Sequence, residues 1–134
     1  RYYISMRSKI IKKLDRVFSE YVRLKHADHA GNCKCITCEK SFYYKDIDAG
    51  HFVSRRHIIV RFDELNVFPQ CKYCNRFLNG LQYEYGKALD ARFGEGTADS
   101  LVAKSRSTEK IDTKKLEEMF GSYKKKLITL RKQT

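Results

Sequence analysis

The sequence predicts an α+β fold: a small metal-stapled core of short strands lying between N-terminal and C-terminal helices. Three observations carry this reading. Two C-x2-C pairs, Cys35-Ile-Thr-Cys38 and Cys71-Lys-Tyr-Cys74, bracket the middle of the chain. Apolar residues recur at helical spacing near both ends. Between the Cys pairs the apolar runs are only strand-length and are broken by charged and turn residues. A chain of 134 residues suits one domain with one modest core. The expected organisation is a single domain over 1–134: an N-terminal helix in 1–31, a metal-bound core over 33–93 and C-terminal helices over 97–134.

The first helix is expected from residue 2 to about 29. Leu14, Val17, Phe18, Tyr21 and Leu24 form its apolar stripe, and Arg7, Lys9, Lys12, Lys13, Arg16, Arg23 and Lys25 its basic back. That back reads as a solvated face, part of which is placed to follow a phosphate backbone. His26 and His29 suit the terminal carbonyls of the helix, and Gly31 ends it. The first metal pair follows in a tight turn. Residues 41–44 and 47–53 read as the two strands of a hairpin turning near Lys45-Asp46, and 54–60 as a loop leaning towards an anionic ligand. Helical periodicity resumes from Asn75 to about Phe93 through Phe77, Leu78, Leu81, Tyr85 and Leu89, until Gly94 and Gly96 stop it. Thr97 or Asp99 caps a short helix through Ala103. The last helix starts at Asp112 or Thr113, with Leu116, Met119, Phe120, Tyr123, Leu127 and Leu130 as its stripe.

Lys and Arg number 28 against 16 Asp and Glu, a formal charge of +12. Such an excess favours a polyanionic partner. Nucleic acid is preferred to a membrane surface, because no stretch approaches the roughly 20 apolar residues of a span. No charged start with an apolar signal core argues for secretion, so a cytoplasmic, nucleoid-associated location is expected. The chain opens at Arg1 rather than Met, which leaves room for an upstream segment.

Thiolate pairs two residues apart chelate one ion from a tight turn, and two such turns complete a tetrahedral zinc site. Cys35, Cys38, Cys71 and Cys74 meet that need. The fifth cysteine, Cys33, offers C-x4-C spacing to Cys38 as an alternative, but C-x2-C matches the second pair. Four thiolates close the site, so its zinc is structural and stabilises the fold. A redox reading would call for a neighbouring βαβ pattern, which is missing.

Inside the knot, His51 ends an expected strand, Asn66 lies in the connecting loop and Asn75 directly follows Cys74. A neutral His takes a proton from water near pH 7. Phosphodiester hydrolysis also needs a cation, and oxygen ligands suit Mg²⁺ or Mn²⁺. These residues resemble the HNH (ββα-metal) nucleases. More closely, the chain resembles the phage recombination protein family NinG (Rap). The resemblance rests on Phe18-Ser-Glu-Tyr21-Val-Arg-Leu24, Cys35-Ile-Thr-Cys38, Asp48-Ala-Gly-His51-Phe, Arg61-Phe-Asp-Glu-Leu-Asn66, Gln70-Cys71-Lys-Tyr-Cys74-Asn75-Arg76 and Gly94-Glu-Gly-Thr-Ala98. It implies a metal-dependent endonuclease that cuts Holliday junctions or D-loops in recombination. His51 would be the general base, Asn66 the brace that orients it, and Asn75 a ligand of the catalytic Mg²⁺ or Mn²⁺.

One position departs from that pattern. Many HNH enzymes carry a metal-ligating Asp or His immediately before the base, where this chain has Gly50. Asp48 is the nearest carboxylate and the first choice for second ligand, although strand alternation puts it and His51 on opposite faces unless the backbone bends. Asp63 or Glu64 from the loop are the alternatives, and a turn or strand-end hydrogen bond is the plain reading of Asp48. Arg55, Arg56 and Arg76 are expected to meet phosphates, whereas His57 is assigned to the loop and not to the catalytic set. Tyr83 and Tyr85 read as core or surface aromatics before base-stacking platforms.

Two rival functions follow. A non-catalytic, zinc-stapled module would bind branched DNA without cutting it. A zinc deaminase is set aside, because that family needs H-x-E before its P-C-x-x-C, and here Phe52 and Val53 follow His51. Symmetric incision of a four-way junction favours a homodimer, and the resemblance implies phage or host recombination proteins as partners.

Overall fold

Two long helices from opposite ends of the chain pack against each other and close one side of the core. The computed structural model describes residues 2–133; positions 1 and 134 of the expected domain lie outside them. The elements are α1 (Tyr2–Lys25), β1 (Asn32–Lys34), β2 (Ser41–Tyr43), a 3₁₀ turn (Tyr44–Asp46), β3 (Asp48–His51), α2 (Ile58–Arg61), β4 (Val67–Gln70), a π turn (Tyr73–Phe77), α3 (Gln82–Phe93), α4 (Thr97–Ser105) and α5 (Thr113–Gln133). Among the described residues no helix is long and apolar enough to cross a membrane.

The α1 stripe buries Leu14, Phe18, Tyr21 and Val22 with Phe62, Val67 and Leu116, and Met119, Phe120, Tyr123 and Leu130 of α5 pack on that cluster. The Tyr123 ring meets Phe18 edge-on at 4.9 Å between centroids, a preferred aromatic geometry. Helix α5 starts where the sequence places it, since Asp112 accepts a hydrogen bond from Lys115 N–H at 2.8 Å and so satisfies a first-turn donor. Glu64 joins α1 to α5: it accepts from Tyr21 and Lys25 of α1 at 3.2 and 2.7 Å and from Tyr123 of α5 at 2.9 Å. Burial opposes its charge, but these donors outweigh burial and hold its pKa below the ordinary 4.5.

The strands do not pair as a 41–53 hairpin. β2 runs antiparallel to β1, with Cys33 opposite Phe42, and β3 runs antiparallel to β4, with Gly50 opposite Phe68 and His51 opposite Val67. The Cys35–Cys38 turn reverses the chain so that β2 returns along β1, and the 3₁₀ turn then redirects it to the second sheet. Alternation marks which residues are strands but not which strand is the partner. All four residues of β4 are buried. Pro69, which has no N–H to donate, accepts at its carbonyl from Ile36 N–H at 2.9 Å, tying the first metal turn to this strand.

Three helix boundaries also differ from expectation. α1 stops at Lys25 rather than near His29; Asp28 then accepts from Ala30 and Asn32 N–H at 2.9 Å each, while the His26 ring lies 5.0 Å from that of Phe68. The helix expected over 75–93 is split, because Asn79, Gly80 and Leu81 all have positive φ (54°, 86° and 47°), which an α-helix does not tolerate. Tyr85 and Leu89 of α3 are fully buried, but Phe77 is exposed. α4 begins at Thr97 behind Gly96 at φ +95°, and its Ala98 N–H is capped by Asp90 of α3 at 2.9 Å, not by Thr97 or Asp99. Residues 58–61, expected as loop and lead-in, form the single turn of α2.

Replacing Glu64 with Gln is expected to cost about 1 kcal/mol near neutral pH, a charged-acceptor hydrogen-bond contribution reduced for partial exposure. Because the folded pKa is depressed, this stabilisation is complete above about pH 4.5 and disappears as pH falls through the lowered value. Denaturant melts of both proteins should therefore converge below that window; a gap that persists there contradicts the account.

Candidate metal centre and adjoining cleft

The Sγ atoms of Cys35, Cys38, Cys71 and Cys74 lie within 4.8 Å of one another, and those of Cys38 and Cys71 are 3.8 Å apart. A tetrahedral Zn–S distance of about 2.3 Å requires sulfur–sulfur edges of about 3.8 Å, so the four thiols can hold one zinc ion. Both turns are built alike: Cys38 N–H donates to Cys35 Sγ at 3.5 Å and Cys74 N–H to Cys71 Sγ at 3.4 Å. Burial opposes ionisation of Cys35, but hydrogen bonds from Cys38 N–H and the Thr37 hydroxyl prevail and bring its pKa to about 6, which favours the thiolate that zinc binds. Cys33 stays outside the cluster. Its thiol donates to Arg23 O at 3.0 Å and burial raises its pKa to about 11, so it remains a neutral core side chain.

Beside the knot, β3, α1 and the π turn enclose an open cleft of about 600 Å³. Arg23, Lys45, Arg55, Lys72 and Arg76 line it against the carboxylates of Asp15 and Asp48. Arg56 is not among its lining residues. His57 precedes α2 at its N-cap position, without a side-chain cap hydrogen bond.

Asp48, His51 and Asn75 all face this cleft, so alternation along β3 does not separate Asp48 from His51. Asn75 lies in the π turn rather than at the start of a long helix, and its Nδ2 donates to Asp48 Oδ2 at 2.9 Å. Arg76 pairs with both Asp48 oxygens at 2.9 Å. Asp63 and Glu64 are engaged elsewhere: Asp63 accepts from Lys104 at 2.6 Å, and Glu64 sits in the α1–α5 hub. Of the carboxylates considered from sequence, Asp48 is the one brought to Asn75.

His51 Nε2 lies 2.9 Å from Arg61 O. A carbonyl only accepts, so a neutral His51 carries its proton on Nε2 and leaves Nδ1 as the acceptor. Burial lowers the His51 pKa below 6.5, opposed by the Arg61 hydrogen bond and the Asp15 charge. Arg61 is itself anchored, with Nε at 2.9 Å and Nη2 at 2.5 Å from the two oxygens of Asp15 on α1. Asn66 is fully buried. Its Oδ1 accepts from Val53 N–H at 2.8 Å, and its Nδ2 donates to Val53 O and Val60 O at 3.0 Å each. It therefore ties the segment after His51 to α2.

Four further residues matter to which the sequence assigned no role at the site. Tyr85 accepts from Phe68 N–H at 3.0 Å and donates to Gly50 O at 2.6 Å, bridging β3 and β4 from the core. Gln70 donates to Gly80 O at 2.8 Å and to Thr37 at 3.3 Å. It also explains Gly50: a Cβ there would meet Gln70 Oε1 at 2.3 Å and Gln70 Cβ at 2.8 Å. Asp15 and Arg61 hold the acceptor of His51. Arg61 and Gln70 do open two of the segments that carry the family resemblance, and Tyr85 lies in an apolar stripe, but Asp15 had no such signal.

A family model described as Bacteriophage Lambda NinG protein matches residues 2–133. No curated protein matches the chain, and no solved structure does.

Zinc content measured by atomic absorption should stay near one per chain in Cys33→Ser and fall sharply in Cys71→Ser. Equal loss in both would place Cys33 in the knot. Gly50→Ala should destabilise by about 1–3 kcal/mol through overpacking, read as a lower urea midpoint; an unchanged midpoint contradicts the Gln70 contact.

Proposed function

The chain belongs to the bacteriophage lambda NinG family, and on that premise we propose that it is a metal-dependent, structure-specific DNA endonuclease that cuts branched DNA such as Holliday junctions and D-loops. The observation that carries this reading is the His51–Arg61 hydrogen bond. It leaves Nδ1 as a proton acceptor in a cleft whose lining includes Arg23, Lys45, Arg55, Lys72 and Arg76. The order β3, loop with Asn66, β4, then the turn with Asn75 has the strand–strand–helix logic of a ββα-metal (HNH) core.

His51 Nδ1 takes a proton from water, whose oxygen attacks the phosphorus, and the P–O bond opposite breaks as the leaving oxygen is protonated by solvent. Arg61 O holds the imidazole in the required tautomer, and Asn66 fixes the backbone that follows it. Arg55 and Arg76 bind the strand's phosphates. Asp48 and Asn75 are the residues that would hold Mg²⁺ or Mn²⁺, through oxygen donors that suit either ion. Bound there, the ion would neutralise charge on the phosphate and the leaving oxygen. The four-cysteine zinc is structural. The setting is the cytoplasm and nucleoid of a phage-infected bacterium, with phage or host recombination proteins as partners and two copies supplying paired incisions.

The Arg76–Asp48 pairing favours a second reading, in which the site has lost its cation and the chain is a zinc-stapled module that binds branched DNA without cutting.

Cleavage of a labelled four-way junction, against linear duplex of the same arms and with added Mg²⁺ or Mn²⁺, separates the two. The nuclease reading expects metal-dependent, junction-preferring cleavage that falls by about 10²–10⁴ in a zinc-loaded His51→Ala. The rate should rise with pH through an apparent pKa below 6.5, because the base form exists above the depressed value. Tight binding without cutting in either metal would establish the binding module instead.

A further inference from the structure

The π turn that carries Asn75 has a second side. Phe77 is 77% exposed and Tyr73 63%, and their ring centroids are 6.0 Å apart with 30° between planes. Their sequence neighbours Lys72, Asn75 and Arg76 line the cleft. This short stretch thus turns polar and basic groups towards the cleft and two tilted rings towards solvent. The helix break at Asn79–Leu81 keeps these rings off the core that Tyr85 and Leu89 enter.

We propose that Tyr73 and Phe77 form a stacking platform for a nucleobase unstacked at a DNA branch point, an inference that rests on the nucleic-acid reading above. Base–aromatic stacking is sequence-tolerant because every base has a π-face. A duplex keeps its bases stacked, so such a platform engages DNA only where the stack is interrupted. Lys72 and Arg76, next in sequence to the two rings, offer phosphate contacts on the cleft side of the same turn. A protein partner fits less well. Each ring buries at most about 150–250 Å², so two fall short of the roughly 800 Å² per side of a stable protein interface.

The test uses the full zinc-loaded chain in a His51→Ala background, with a four-way junction carrying 2-aminopurine at the branch. Without a ring variant, binding should change the probe's fluorescence saturably. Phe77→Ala and Phe77→Leu should both remove most of that change and weaken junction binding about tenfold, while linear-duplex affinity moves less than twofold. Phe77→Trp should restore both readouts; as the chain has no native Trp, the new indole should itself be quenched by the junction. Tyr73→Ala is the second variant, and zinc content and melting midpoint confirm folding. Phe77→Leu behaving like the parent, or a variant that changes oligomeric mass with no change at the probe, overturns the platform. Junction cleavage by the His51 protein together with an unresponsive probe sinks the platform alone. A ring-dependent probe response without any cleavage sinks the nuclease reading alone.

Discussion

Four sulfurs within 4.8 Å of one another are the constraint on which the rest of this small fold depends. Four thiolates at that spacing repel unless a cation sits among them, and a zinc ion converts the repulsion into a cross-link between residues 35–38 and 71–74. The second of these turns directly follows β4 and leads into the turn that carries Asn75. The first turn is tied to β4 twice, through Ile36 N–H on Pro69 O and through Thr37, which contacts Cys35 Sγ at 3.3 Å and accepts from Gln70. The four-cysteine cluster and these two contacts therefore tie the first turn to β4. Through Tyr85 and the Gly50–Gln70 contact, β4 is joined to β3, where Asp48 and His51 reside.

The cleft is assembled from parts distant in sequence, and each is held by a specific bond. Asp15 on α1 anchors Arg61, and Arg61 O receives His51. Asn66 secures the segment following His51, and Asp48 is gripped by Asn75 and Arg76. α1 is in turn held by α5 through the aromatic cluster and Glu64. The terminal helices are thus the frame that brings Asp15 to Arg61.

The elements legible in the sequence were those whose signal is local. The α1 and α5 stripes, the Asp112 cap and the C-x2-C spacing each declare themselves within a few residues. Strand partners did not, because β1–β2 and β3–β4 pairing is decided by where two metal turns reverse the chain. The break before α3 had a signal in Asn79-Gly80, but the apolar spacing of Phe77, Leu78 and Leu81 imitates a continuing stripe. Within the site, His51, Asn66, Asn75 and Asp48 stood out by residue type and order. Asp15, Arg61, Gln70 and Tyr85 did not, since a carbonyl acceptor, an anchoring ion pair or a filled Gly50 space exists only in three dimensions.

The central claim is that this scaffold presents His51 as a neutral base with Nδ1 available. Its most direct test is ¹⁵N NMR of histidine-labelled, zinc-loaded protein titrated through the range around pH 6. The account predicts a His51 resonance of the Nε2–H tautomer at pH 7 and a pKa below 6.5. A Nδ1–H tautomer, or a pKa above 6.5, would contradict it.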